Sequence, residues 1–180
     1  DRAIDLLLPH LRSGNQLAWV TPTLSLFAFA DLRTALSKLS KTQLILPVGD
    51  DDLGLLGGDF DRAARNQLHS RWLANEAVKW LGGDVELRSP AGRVPQAAAV
   101  IRNAQGEAVQ VVTGATAFST EGLGLVPGNP LSLTQISESA DEAAQLAAWF
   151  DQHWAVLPAE PPGAASSKQA LLDRLRRLGE

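Results

Sequence analysis

Cysteine is absent from this chain of 180 residues. That excludes disulfides, thiolate metal ligands and a cysteine nucleophile, and it fits a reducing compartment, so a cytoplasmic location is expected. Methionine is absent too, so the chain is expected to be a trimmed piece of something longer. No apolar run approaches the roughly 20 residues that a membrane span needs. Asp1 opens the chain without the basic start and apolar stretch of a secretion signal. A membrane partner is therefore not expected. Charge is also short: 20% of residues are charged and the net charge is −4, which argues against a protein coated in nucleic acid.

What is present is enough for a core, since 45% of residues are apolar. The charges are segregated. Residues 60–113 hold seven Arg or Lys against five acids, whereas residues 114–158 hold five acids and no Lys or Arg. Any phosphate-binding surface is expected on the middle segment.

Apolar spacing predicts a helix to about Ser13, a strand over 16–21, a helix over 24–39 and a strand over 42–48. Asp59 is placed to cap a long helix over about 60–82 that Gly82-Gly83 stops. Its apolar stripe runs through Ala64, Leu68, Leu73, Ala77, Trp80 and Leu81. Strands follow over 84–88, 97–102, 108–113 and 131–136, the middle pair joined by a hairpin at Asn103-Ala104-Gln105-Gly106. Ser139 caps a helix to about Trp154, with Glu142 three residues on. Residues 158–167 read as a Pro/Ala/Ser linker, and 168–180 as the start of a following helical segment whose apolar face nothing covers. Helices alternating with strands, then a hairpin, predict an α/β sandwich with a mixed β-sheet.

Several short segments share an outline with one family. These are Leu55 to Leu68, Arg71 to Ala74, Val111 to Leu125, Asn129 to Leu133 and Ala148 to Trp154. Together they resemble the phospholipase D-like domain found at the N-terminal end of some bacterial superfamily II helicases of the Swi/Snf type, over most of residues 1–157. The resemblance implies a phospholipase D-like α/β/α sandwich, with the helicase portion of the same chain, DNA and a second copy as partners.

That family attacks phosphorus with a histidine, assisted by Lys, Ser and Asn. The corresponding positions here are Pro95, Ala97, Ala115 and Ala117, and the family's following Asp falls at Arg102. No catalytic residue, cofactor or metal ligand is therefore carried over. What the resemblance implies is a non-catalytic accessory domain of a DNA helicase or translocase, DNA-binding or regulatory. A homodimerisation or interaction module and a residual phosphodiesterase are the alternatives.

His10, His69 and His153 show no metal or triad spacing. The three aspartates at 50–52 read as a solvated loop. The best polar constellation is Arg62, Arg65, Asn66 and His69, which fall on one face of the long helix if it starts near residue 60. With Arg93 and Arg102 they make up the candidate nucleic-acid contact, and Arg88 is placed to extend it. Trp19, Trp72, Trp80, Trp149 and Trp154 are assigned to the core.

Overall fold

The computed structural model describes residues 2–49, 53–58, 61, 66–158 and 166–180. The chain is an α/β protein with a six-stranded mixed sheet. In chain order the elements are α1 (Ala3–Leu7), a 3-10 turn (Leu8–His10), β1 (Gln16–Val20), α2 (Leu26–Leu36), β2 (Lys41–Ile45), α3 (Gln67–Leu81), β3 (Val85–Arg88), β4 (Ala97–Arg102), β5 (Ala108–Gly114), β6 (Thr134–Ser137), α4 (Ala140–Val156) and α5 (Ser167–Leu178).

The strand order is β3-β2-β1-β4-β5-β6. β1, β2 and β3 are parallel, because helices connect them, and β4 returns antiparallel beside β1. β5 and β6 continue antiparallel. β1 and β4 are the central strands, and their near-continuous apolar runs serve both faces.

On one face Leu17, Trp19, Leu44, Leu87, Ile101 and Val112 pack under α1, α2, α3 and α5. On the other, Ala18, Val20, Val100 and Val111 pack under Ala143, Ala147, Phe150 and Trp154 of α4. Two arginines of the sheet pin α4. Arg88 donates to the Trp154 carbonyl and lies 4.4 Å over its indole. Arg102 donates to the Ala147 carbonyl and, at 2.8 Å, to Asp151.

Element types follow the sequence-based expectation, and the departures have local causes. α2 starts later than expected because Ser25 caps it, its Oγ accepting from the amides of Phe27 and Ala28. α3 starts at Gln67 because Asn66 caps it, accepting from the amides of Leu68 and His69. Asp59, proposed as that cap, lies outside the described residues, as do Ala64 of the expected stripe and Asp50, Asp51 and Asp52.

With α3 starting there, Leu68 in its first turn is 74% exposed rather than part of the buried stripe. Trp72 and Trp149 are also substantially exposed, whereas Trp19 is fully buried and Trp154 nearly so. The uncovered face expected for the last helix is in fact covered. Leu171 and Leu175 of α5 are buried in the main core, and Lys168 Nζ donates to the Val85 carbonyl.

Candidate functional site

Antiparallel pairing of β4 with β5 sets Ala97 opposite Gly114. The chain entering β4 therefore lies beside the chain leaving β5. Pro95, Ala97, Ala115 and Ala117 accordingly line one open cleft of about 870 Å³. All four positions aligned with reacting groups by resemblance converge there, and they present a pyrrolidine ring and three methyl groups. Such side chains neither attack phosphorus nor donate to an oxyanion.

Two glycines shape the wall. A Cβ on Gly114, which has φ +102°, would collide with the Leu133 carbonyl. One on Gly122 would collide with the Ala117 backbone. The polar groups around the rim include Gln96, Ser119, Asn129 and Thr134, with Arg2 and Glu121. Arg2 is already engaged, donating two hydrogen bonds of 3.0 and 3.1 Å to Asp5. Those bonds hold the Asp5 carboxyl below its ordinary range and raise the guanidinium.

The segment behind the alanines is core. Phe118 is fully buried and stacks on Trp19 at 4.5 Å between ring centroids. Trp19 Nε1 donates to the Thr116 carbonyl, and Thr21 Oγ1 accepts from the Phe118 amide. Leu24 bridges Phe118, and Ser25 N donates to the Phe118 carbonyl. Thr120 Oγ1 lies 2.9 Å from both carboxylate oxygens of buried Asp61.

The sequence reading missed Asp61 and Thr120. An acid in a Gly-rich stretch looks solvated, and its partner lies 59 residues away. Among the described residues the fully buried Thr116 hydroxyl has no hydrogen-bond partner, which costs about 1–3 kcal/mol.

The described candidate nucleic-acid residues do not share one helix face or one crevice. Arg62 and Arg65 lie outside the described residues. Asn66 is the cap of α3, in extended conformation before the helix, so it does not share a helix face with His69. His69 is exposed in the first turn, its ring 6.1 Å from Trp72.

Arg93 is exposed and lines a crevice of about 430 Å³ with Pro22, Thr23, Pro47 and Ser89. The loops after β1, β2 and β3 build this crevice, the usual ligand edge of a parallel sheet. It meets the larger cleft at Pro22. Arg102 sits at the opposite end of β4, about 17 Å of strand from Ala97, and is held by Asp151. Arg88 is held by Trp154.

Among the described residues no group of three or more His, Cys, Asp or Glu is placed to hold a metal ion. No helix among them is long and apolar enough to cross a membrane. No model of a known protein family matches this chain, and no curated protein matches it.

Proposed function

We propose that this chain is a non-catalytic accessory domain with a phospholipase D-like architecture, serving a DNA helicase or translocase by binding DNA or regulating the motor. One observation carries the reading. Pro95, Ala97, Ala115 and Ala117, far apart in sequence, gather in a single cleft where side chains of reacting type would be needed. A phosphodiesterase requires a nucleophile and a cationic cradle there.

Among the described residues, cations near the cleft are few. Arg2 is paired with Asp5, and Arg93 stands in the adjoining crevice. Contact with DNA through these described cations is accordingly weak, with a shallow salt dependence, since few counterions are released. Fluorescence anisotropy with labelled single-stranded and duplex DNA, at two salt concentrations, tests this arm. Arg93→Ala is expected to weaken binding and flatten the salt slope, while Arg102→Ala leaves both unchanged. Sustained turnover of a phosphodiester by the pure chain, abolished by a substitution lining the cleft, would sink the non-catalytic reading.

A second reading, a homodimerisation or interaction module, has its own support. Leu131 and Leu133 are 88% and 75% exposed, and Ile136 and Trp149 are 41% exposed, all near the β6 edge of the sheet. Exposed apolar side chains gathered in this way mark docking surfaces.

A further inference from the structure

β6 ends the sheet. The Ala115 amide donates to the Leu133 carbonyl, so the backbone of Leu133 faces β5. Alternation then turns the amides and carbonyls of Thr134 and Ile136 outward, away from the sheet. Sheet edges in natural proteins are commonly blunted by Lys, Pro or a bulge. From Leu131 to Ser137 this edge has neither charge nor proline, and its pairing to β5 runs in unbroken register.

The edge also has a pocket beside it. Ser137 pairs with Val111, whose side chain packs under α4. Ser137, Gln135 and, by the same alternation, Leu133 therefore stand on the α4 face. Leu146 and Trp149 of α4, with Ser137, line a cavity of about 640 Å³ open at this edge. The pocket lies at the C-terminal end of β6, whereas Leu133, 75% exposed, stands at the other end.

We propose that the β6 edge docks a second copy of this chain, antiparallel, about a two-fold axis through Gln135; this deepens the dimerisation reading above and rests on it. In that register Thr134 faces Ile136 of the other copy, and both residues have outward backbone groups to exchange. Leu133 then faces Ser137 of the other copy and enters the pocket walled by Leu146 and Trp149. The two-fold repeats the contact, so the exposed leucine and the open pocket satisfy each other twice.

Charge agrees with this orientation. Residues 114–158 contain no Lys or Arg, and Glu138, Asp141 and Glu142 follow β6 directly. A parallel pairing would set these acids side by side. The antiparallel pairing separates Glu138 from its symmetry mate by about 20 Å along the strands, beyond the ~10 Å screening length at 0.1 M salt.

Sedimentation equilibrium or light scattering on this chain, across a concentration series, tests the proposal. The expected result is a mass rising from one chain toward two. Leu133→Asp, which removes the side chain that fills the pocket, and Ile136→Pro, which removes an outward amide, should each weaken dimerisation at least tenfold. Neither should move the urea midpoint measured at a concentration where the chain is monomeric, because Leu133 is exposed and the Ile136 amide does not serve β5.

A strict monomer at the highest concentration overturns the proposal and leaves the edge to a different protein. A dimer that both variants leave intact overturns it by placing the contact elsewhere. Phosphodiester turnover, assayed on the same samples, bears only on the non-catalytic reading, so the two fail separately.

Discussion

Replacing Phe118 with alanine tests whether the segment carrying Ala115 and Ala117 belongs to the core. Its ring is fully buried, 4.5 Å from Trp19 and 6.2 Å from Trp80 between centroids. The backbone bonds of Phe118 to Thr21 and Ser25 survive the substitution, so the loss is that of the side chain. Truncating a buried phenylalanine costs about 3–5 kcal/mol, of which stacking geometry supplies roughly 1 kcal/mol. We expect about 4 kcal/mol, a large part of the ~5–15 kcal/mol that holds a typical domain together.

Urea unfolding followed by tryptophan fluorescence reads the effect. With a slope of about 2 kcal/mol per molar, the midpoint falls by roughly 2 M. Phe118→Leu, which keeps most of the volume, should cost less than about 1.5 kcal/mol. A midpoint shift under ~0.5 M for Phe118→Ala, or about 1 kcal/mol, would refute the reasoning. The 115–125 segment would then not be packed against β1, and the cleft built on it would not hold.

Further outcomes follow from single contacts, each read by the same urea titration. Gly114→Ala combines a left-handed φ with a collision against the Leu133 carbonyl and should cost at least ~2 kcal/mol; a neutral result would mean that Leu133 lies elsewhere. Thr120→Val removes the hydroxyl from the buried Asp61 carboxylate and should cost about 1–3 kcal/mol. Thr116→Val, by contrast, replaces a buried hydroxyl that has no partner among the described residues with a methyl of the same shape. It should be neutral or stabilising by up to ~1 kcal/mol, and a marked loss would reveal a bond to that hydroxyl. Asn66→Ala removes the α3 cap and should cost about 1 kcal/mol; were Asn66 instead a phosphate ligand on a longer helix, DNA affinity would change and stability would not.

Much of the fold was legible along the chain because local rules control it. Ser139 sets the start of α4 through its own Oγ, and Gly106, with φ +84°, turns the β4–β5 hairpin. The apolar runs of β1 and β4 announce strands buried on both faces. The four cleft positions, Pro95, Ala97, Ala115 and Ala117, were legible one by one only as residue identities.

Their convergence was legible only in part. The expected hairpin sets Ala97 near Ala115, but the place of Ala117 depends on Gly122 lying against its backbone. The start of α3 was not legible either. Asn66 caps it in extended conformation, so Asn66 does not share a helix face with His69. The β4 strand carries Arg102 to the far end of the sheet, where Asp151 of α4 holds it. Sequence spacing sets which residues share a helix face once its start is known, but not where a competing cap cuts that helix.

The sequence by itself determined the types and order of the elements, because propensity, periodicity and capping act within a few residues. The tertiary structure alone decided which acid is buried, which arginine is already paired and which strand is left at the edge. Those outcomes rest on contacts between residues far apart in the chain, such as Asp61 with Thr120 and Arg102 with Asp151.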